Sequence, residues 1–311
     1  MRTRRTFVLQ PVPPFRLDLT AWVLRRRARN QIDRWDGMSY RRLIRVNGTP
    51  TEIAVRQVGP ATEPRLVVAA DPPPVTPEDR RQIRNLLERT LGLRVDLRGW
   101  YRVAARDDRL RLLAARFRGV KPPRFPTLFE ALVNAFACQQ LSLDVGLELL
   151  NRLAVTAGAT RHAGTHVEYA FPEPRDAVKV PVSRYRAMGF SRQKTRAILE
   201  LSRGIADDSL QPEELAREQD DVVLERLLAI RGVGRWTAEY VLLRGLGRLD
   251  VFPGDDVGAQ KRLARWLGRT RPFDYAGVHR AVERWQPYAG MVYFHLLLDG
   301  LDERGALGGP A

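Results

Sequence analysis

A glycine-rich turn joins two segments of helical pattern in the C-terminal half of the sequence. Apolar residues have helical spacing over Val223–Ile230 and again over Arg235–Leu246, and the turn between them reads Arg-Gly-Val-Gly. Glycine permits backbone angles that other residues avoid and keeps a turn free of side chains. A phosphate group can then approach main-chain N–H groups at the start of the second helix, where the helix dipole favours negative charge. The pattern predicts a grip on a nucleic-acid backbone; the alternative is a tight turn that merely needs glycine.

The sequence around this turn is helical almost throughout from about residue 99. Helical spacing of apolar residues predicts these helices in addition to the two above: Asp107–Ala115, Thr127–Cys138, Leu141–Leu153, Arg192–Ile205, Val257–Leu267, Ala276–Trp285 and Gly290–Leu298. One irregular stretch, Thr156–Pro181, is predicted to be a surface loop. We expect a mostly α-helical body of two subdomains over residues 99–304, followed by a disordered tail over residues 305–311.

The first 98 residues have a different pattern. Asn47-Gly48, a strong hairpin signal, separates two runs of strand-like composition at 40–46 and 51–58. Residues 65–70 supply a third strand, and helices are predicted over Leu17–Arg29 and from Pro77 to Thr90. We expect a small antiparallel-sheet α+β domain over residues 1–98, and therefore an α+β fold for the whole chain.

The chain carries a large positive charge. Its 311 residues include 52 Lys and Arg against 36 Asp and Glu, for a formal net charge of +16. Such a charge attracts polyanions and is typical of nucleic-acid-binding proteins. A GC-rich genome would explain why arginine dominates over lysine, but it would not explain the shortage of acids. The charge favours a polyanionic partner without identifying it.

Several classes of protein and site are disfavoured by the composition. The single cysteine, Cys138, excludes an intramolecular disulfide and a cysteine-ligated iron–sulfur cluster. His162 and His166 have a metal-like spacing, but Gly164 disfavours a helix there, and two unrelated histidines in a loop is the preferred interpretation. No apolar run approaches the roughly 20 residues of a membrane span, and the first one meets Gln10 too soon for a signal peptide. We expect no required cofactor, no membrane association, a cytoplasmic location and a monomer.

Two adjacent acids follow the second helix of the glycine-turn pair. The chain reads Asp250-Val-Phe-Pro-Gly-Asp-Asp-Val, and an amphipathic helix begins directly afterwards. Aspartate is a good helix N-cap and complements the helix dipole, which could account for both acids. The alternative is that Asp255 or Asp256 is a functional carboxylate in a Gly/Pro-rich loop.

The glycine turn, extended by Ile before it and Thr-Ala after it, closely resembles the helix-hairpin-helix motif of DNA-repair proteins. Nearly the whole chain resembles the bacterial 3-methyladenine DNA glycosylase II family. That resemblance also rests on the N-terminal α+β portion and on three further segments: Phe125–Ser142, Met188–Lys194 and Trp285–Tyr288.

The resemblance implies an enzyme that flips a damaged base out of double-stranded DNA and hydrolyses its N-glycosidic bond. Aligning the Gly/Pro-rich loop with that family gives Asp256 the catalytic place, and Asp255 is then the better cap candidate. A fixed anion stabilises the positive charge that develops on the sugar. An alkylated purine already carries positive charge and leaves without a proton, so one carboxylate is sufficient. The hairpin implied to bind the DNA backbone comprises Arg231, Gly232, Val233, Gly234, Arg235 and Thr237.

The resemblance also implies a base pocket and a DNA wedge. Trp236, Tyr240 and Leu297 take the pocket positions, although helical spacing alone would also make the first two core aromatics. Gln139 and Gln140 are the candidates for filling the vacated base stack. Trp236 also stands where bifunctional relatives carry a Schiff-base lysine, and an indole cannot act as that amine, so no lyase activity is expected. The resemblance further implies an alkali-metal ion, Na or K, on the backbone of Ile230 and Gly232.

Three residues depart from the family pattern. Gln140 is polar where relatives have a bulky apolar residue, Ala289 replaces a common arginine, and Leu297 stands where a pocket tryptophan can occur. Two alternatives to alkylpurine excision stay open, and the departures at Gln140 and Leu297 support the first of them, a different lesion. The same fold could act on hypoxanthine, uracil or oxidised purines, or the chain could be a non-catalytic protein that binds damaged DNA.

Overall fold

The N-terminal part of the chain forms a five-stranded antiparallel sheet in this computed structural model, which describes residues 6–71 and 76–307. The strands are β1 Thr6–Leu9, β2 Arg34–Trp35, β3 Ser39–Val46, β4 Thr49–Val58 and β5 Arg65–Asp71, and their order in the sheet is β1-β5-β4-β3-β2. Asn47 and Gly48 form the predicted turn between β3 and β4, with φ of +47° and +81°. Positive φ at both residues is what a two-residue hairpin turn of the primed type requires. The predicted small antiparallel sheet is confirmed.

Helices make up most of the remaining described residues, which confirms the predicted α+β fold with a helical body. They are α1 Leu17–Arg25, α2 Pro77–Thr90, α3 Arg98–Ala104, α4 Asp108–Arg116, α5 Leu128–Cys138, α6 Leu143–Ala157, α7 Pro174–Ala177, α8 Val182–Met188, α9 Arg192–Ala206, α10 Asp220–Ala229, α11 Arg235–Val241, α12 Val257–Trp266, α13 Tyr275–Val282 and α14 Ala289–Asp302. Helix α11 continues without a break into a π-helical turn over Leu242–Leu246.

Two local predictions are wrong. Helix α1 ends at Arg25 rather than Arg29, because Arg26 takes a left-handed backbone conformation with φ +61°. The predicted surface loop 156–181 contains a β-hairpin of β6 Thr160–Ala163 and β7 His166–Tyr169, followed by α7. Strands of four residues are too short to show alternation in a sequence. This hairpin is held against the first sheet by Arg161, which pairs with Glu52 of β4.

Two hydrophobic cores meet along the loop that follows α11. The first core joins the N-terminal sheet and α1 to α3, α4 and α12–α14, and the second joins α5, α6 and α8–α11. In that loop Val251 packs against the second core, whereas its neighbour Phe252 belongs to the first. We call this boundary the seam.

The cores divide the chain differently from the predicted boundary between residues 98 and 99, because the first core contains both N-terminal and C-terminal elements. That domain boundary stays a prediction. Of the tail predicted to be disordered, Ala306 and Leu307 pack against the first core, and residues 308–311 lie outside the described residues. Over residues 6–71 and 76–307, no helix combines the length and the apolar character needed to cross a membrane.

Candidate active site

The glycine-rich turn connects α10 to α11, as the sequence predicted. Gly232 has φ +84°, and a Cβ built there would lie 3.0 Å from the Cβ of Ala197, so both the backbone angle and the neighbour require glycine. Gly234 is extended, with φ −107° and ψ −178°, and a Cβ there would meet nothing within 4 Å. The outer surface of the turn is therefore bare main chain. It adjoins the first N–H groups of α11, which have no partner within the helix.

The inner side of the turn is packed against the protein. The side chain of Val233 is 8% exposed and that of Thr237 is 1% exposed. Gln139 Nε2 donates to the carbonyl oxygen of Gly232 at 2.8 Å and to Thr237 Oγ1 at 2.7 Å. Thr237 therefore faces Gln139, which does not suit its side chain to the DNA contact expected of it.

The two residues predicted to form the wedge have different surroundings. The side-chain amide of Gln139 is already hydrogen-bonded to Gly232 and Thr237 at the glycine turn. This side chain therefore holds the end of α5 against the turn and is poorly placed to enter DNA. Gln140 is exposed and has φ +55°, and the following Leu141 is 43% exposed. Lys194 Nζ donates to the carbonyl oxygens of Ala137 at 3.0 Å and Gln139 at 2.7 Å, which holds the end of α5 in place.

Both exposed arginines of the turn are paired with acids. Arg231 Nε lies 2.5 Å from Glu200 Oε2, and Arg235 Nε lies 2.7 Å from Asp255 Oδ2. Exposed ion pairs contribute little to stability and are readily exchanged for another anion. The two guanidinium groups are therefore available to a phosphate that approaches the turn.

Asp256 is the N-cap of α12. Its Oδ1 accepts a hydrogen bond from the main-chain N–H of Ala259 at 2.8 Å, and its φ of −73° and ψ of 101° suit a cap. The prediction that Asp255 is the better cap candidate is wrong. Because α12 begins at Val257, only the residue directly before it can reach the unpaired N–H groups of the first turn, and Asp255 pairs with Arg235 instead.

The other carboxylate oxygen of Asp256 is held by two aromatic side chains. The hydroxyl of Tyr293 donates to Oδ2 at 3.1 Å, and Trp236 Nε1 donates to the same atom at 3.4 Å, which is a long bond. Burial and the charge of Asp256 raise the pKa of Tyr293 well above its usual value, so the phenol stays protonated and keeps donating. Tyr293 was not among the site residues predicted from the sequence. Its signal is its place on α14 four residues before Leu297, on the same helix face.

A buried glutamate fixes the loop that carries Asp256. Glu239 is 7% exposed, and its Oε2 accepts from the N–H of Gly254 at 2.8 Å. Gln260 Nε2 donates to the carbonyl oxygen of the same glycine at 2.7 Å. Tyr275 donates to Glu239 Oε1 at 2.7 Å, and burial together with this carboxylate raises the pKa of Tyr275 to about 12. The sequence signal that was missed is an acid inside the otherwise apolar run 238–241.

The predicted pocket residues lie on both sides of the seam. Trp236 and Tyr240 stack with ring centroids 5.3 Å apart and planes inclined by 28°. Tyr240 is only 3% exposed and belongs to the second core, as the alternative of a core aromatic expected, whereas Trp236 is half-buried beside Asp256. Leu297 belongs to the first core, one turn along α14 from Tyr293. Asp256 therefore sits between the aromatic pair of one core and α14 of the other.

The sequence and the fold match known DNA-repair proteins. Residues 133–287 match the model of the HhH-GPD superfamily of base excision DNA repair proteins. A DNA-3-methyladenine glycosylase of Bacillus subtilis is 27% identical over 230 residues, which cover 73% of this chain and 76% of that protein. DNA-3-methyladenine glycosylase 2 of Escherichia coli is 29% identical over 187 residues, which cover 60% of this chain and 62% of that protein, less than two thirds of its length.

The fold similarity extends over almost the entire chain. The structure of a 3-methyladenine DNA-glycosylase from Archaeoglobus fulgidus superposes with a TM-score of 0.83 at 25% sequence identity, covering 96% of this chain and 98% of that one. The chain therefore belongs to the HhH-GPD superfamily of base excision DNA repair proteins and, within it, to the family of 3-methyladenine DNA glycosylases.

Proposed function

We propose that this protein removes alkylated purines of the 3-methyladenine type from double-stranded DNA by hydrolysing the N-glycosidic bond. The observation that carries the proposal is the Asp256 carboxylate, which three donors hold at the seam, one loop beyond the glycine turn. The relatives in Bacillus subtilis and Escherichia coli are named for the same lesion, which supports the substrate class.

The reaction needs the damaged nucleotide to leave the base stack and reach Asp256. The base enters beside Trp236, whose aromatic face attracts an electron-poor, cationic ring. As the bond between C1′ and the base nitrogen breaks, both electrons go to the base and the sugar becomes an oxocarbenium ion. Water then adds to C1′ and releases its proton to the solvent, leaving an abasic site.

The role of Asp256 in this scheme is to be a fixed anion. Both of its oxygens already accept hydrogen bonds, so the group does not need to reorganise when positive charge develops on the sugar. A 3-methylated adenine carries a positive charge before the bond breaks and leaves as a neutral molecule. No general acid is required for such a leaving group, which fits a site built around one carboxylate.

The reaction ends at base removal in this proposal. Strand nicking by glycosylase/lyases needs an amine that attacks C1′, and Trp236 provides none. In the described residues, no lysine shares a hydrogen bond or an ion pair with Asp256. Lys194, which lies near the end of α5, already donates to two carbonyl oxygens.

DNA is held at the glycine turn through its phosphates. The free N–H groups at the start of α11 and the arginines at 231 and 235 give contacts that do not depend on base sequence. The carbonyl oxygen of Ile230 accepts from Val233 N–H, and that of Gly232 accepts from Gln139, so each keeps one lone pair. These two carbonyls fit an alkali-metal ion, which would add a positive charge between the turn and the phosphate.

The test is the release of free base from defined duplexes. Duplexes carrying methylated purines, hypoxanthine, uracil or 8-oxoguanine are incubated with the protein, and free base and strand breaks are measured separately. We expect release of 3-methyladenine and an intact strand until the abasic site is cleaved by alkali. Release of no base from any duplex would leave a DNA-binding protein without the proposed activity. Trapping of a covalent adduct by borohydride would contradict hydrolysis without lyase chemistry.

A further inference from the structure

Two buried arginines next to Tyr240 form no ion pair with an acid of the described residues. Arg26 is 4% exposed and Arg244 is 1% exposed. Neither forms an ion pair with an aspartate or glutamate within residues 6–71 and 76–307. Three of their nitrogens, Nε of Arg26 and both Nε and Nη1 of Arg244, are buried without any hydrogen-bond partner. Burying an unpaired charge is costly, and an apolar side chain could fill the same space.

Both arginines contact Tyr240, one of the residues of the proposed base pocket. Arg26 Nη1 donates to the Tyr240 hydroxyl at 3.0 Å, and its Nη2 donates to Asn134 Oδ1 at 2.9 Å. The guanidinium carbon of Arg244 lies 5.7 Å from the centroid of the Tyr240 ring. Both positive charges therefore lie next to Tyr240, whose ring stacks on Trp236.

The backbone of Arg26 is also unusual. Arg26 is in the left-handed region with φ +61°, where a residue other than glycine is uncommon. This conformation ends α1 and directs the side chain into the second core, toward Tyr240. Local strain of this kind is most often found where a side chain must be held in one place for function.

We propose that Arg26 and Arg244 are a positive wall that assists departure of the base, complementary to the negative charge of Asp256 on the sugar side. The inference rests on the proposed function. When the bond to C1′ breaks, the electron pair moves to the base, so the charge of the base falls by one unit and that of the sugar rises by one. A positive wall near the base and an anion near the sugar both stabilise this redistribution. The departing base takes a proton from water when it leaves as an anion.

The wall acts differently on the two kinds of lesion. A neutral base becomes anionic as it leaves, so the wall stabilises its transition state and leaves its bound ground state unaffected. A cationic base becomes neutral as it leaves. The wall therefore weakens its binding in the ground state but lowers the barrier from the bound state to the transition state. These two effects largely cancel in kcat/KM, which compares the free enzyme and substrate with the transition state. The wall therefore widens the reaction toward bases that carry no positive charge.

The experiment compares a neutral and a cationic lesion in otherwise identical duplexes, hypoxanthine and 7-methylguanine, under single-turnover conditions. For Arg26→Gln we expect the saturating rate to fall about tenfold on both, less than for loss of a direct transition-state donor. Apparent affinity should improve for 7-methylguanine only, so that kcat/KM falls about tenfold for hypoxanthine and changes less than threefold for 7-methylguanine. Arg26→Lys keeps the positive charge and should keep the wild-type ratio of kcat/KM for hypoxanthine to kcat/KM for 7-methylguanine.

A matched control is Arg25→Gln. Arg25 is also a buried arginine, one position earlier, and its guanidinium donates to the carbonyl oxygens of Trp35 and Ala28 rather than to Tyr240. We expect wild-type rates on both lesions. If Arg26→Gln does not fold, Arg244→Gln tests the same wall and should give the same pattern.

An equal change in kcat/KM on both lesions in Arg26→Gln would overturn the inference. So would a fall in kcat/KM for hypoxanthine relative to 7-methylguanine in Arg26→Lys. Either result would leave the proposed function intact. A wild-type protein that releases neither base would instead refute the proposed function.

Discussion

At the scale of single residues, the site depends on how Asp256 is held. One of its oxygens accepts a hydrogen bond from the first turn of α12. The other accepts hydrogen bonds from Tyr293 and Trp236, which pack in opposite cores. A carboxylate fixed in this way has one orientation toward an incoming sugar. Small displacements of reacting groups cost much of the rate in enzymes.

The first prediction concerns Tyr293. In Tyr293→Phe the carboxylate of Asp256 loses its shorter aromatic hydrogen bond, and only the long bond from Trp236 still holds Oδ2, so the orientation of the carboxylate toward the sugar is less tightly fixed. We expect kcat for 3-methyladenine release to fall on the order of tenfold with little change in KM. Single-turnover rates at several enzyme concentrations separate the two quantities.

Tyr288→Phe is the matched control, because Tyr288 is the N-terminal flanking residue of the same helix and its hydroxyl lies near Gly99 instead. A change confined to KM in Tyr293→Phe, or an equal loss in Tyr288→Phe, would rule out a positioning role for Tyr293.

Single residues also differ in whether their roles could be predicted from the sequence. The loop that carries Asp255 and Asp256 was identifiable because its Gly/Pro-rich sequence and the following amphipathic helix are local patterns. The choice of Asp256 as the catalytic residue came from the family resemblance and stays a prediction. Tyr293 and Glu239 each left a signal in the sequence, but their roles depend on which face of α14 or α11 meets the loop, and the sequence does not show that. The cap assignment failed because it turned on whether α12 begins one residue earlier or later. Helix boundaries are the least certain part of a sequence-based assignment.

At the scale of elements, the glycine turn combines a packed side with a bare one. Gly232 contacts the protein and Gly234 faces open space, although the two are only two residues apart. The sequence pattern shows two glycines but not which of them serves packing and which serves access. That difference is visible only once α9, which carries Ala197, lies against the turn.

The second prediction uses this difference. Gly234→Ala adds a methyl group where nothing lies within 4 Å and where the backbone is extended, so the free energy of unfolding should change little. The methyl group projects into the space that a phosphate would occupy. We expect DNA affinity to fall about tenfold in a binding titration, with the thermal midpoint unchanged.

Gly232→Ala should behave in the opposite way. Its Cβ would crowd Ala197 and its φ of +84° is strained for alanine, so the thermal midpoint should fall. Unchanged DNA affinity in a stable Gly234→Ala protein would mean that the phosphate binds elsewhere.

Other elements explain where prediction from sequence stops. The hairpin of β6 and β7 was missed because its strands are four residues long and are fixed by distant ion pairs with the first sheet. The end of α1 was misplaced because Arg26 leaves the helix to contact Tyr240, more than two hundred residues away. Both errors arise from tertiary contacts that no local pattern contains.

At the scale of the whole molecule, the site lies where two cores share buried polar contacts. Arg42 of β3 is 2% exposed and bridges Asp33 at 2.7 Å and Glu130 of α5 at 2.5 Å. Arg26 extends from α1 of the first core to Tyr240 of the second. These contacts fix the position of one core relative to the other, and Asp256 lies between them. The sequence predicted an N-terminal domain and a helical body, but not that one core would join N-terminal and C-terminal elements or that Asp256 would lie where two cores meet.

The central claim is that Asp256 is the anion that assists glycosidic bond cleavage. The most direct test compares Asp256→Asn with Asp255→Asn, two isosteric changes in adjacent residues. Free 3-methyladenine released from methylated duplex DNA and DNA affinity are measured for both. We expect Asp256→Asn to lose roughly 10²–10³ of the rate or more while DNA binding is kept or strengthened, since a negative charge has been removed. Asp255→Asn should keep most of the activity, because its carboxylate only pairs with Arg235 on the surface. Near-normal base release by Asp256→Asn, or an equal loss in Asp255→Asn, would contradict the account.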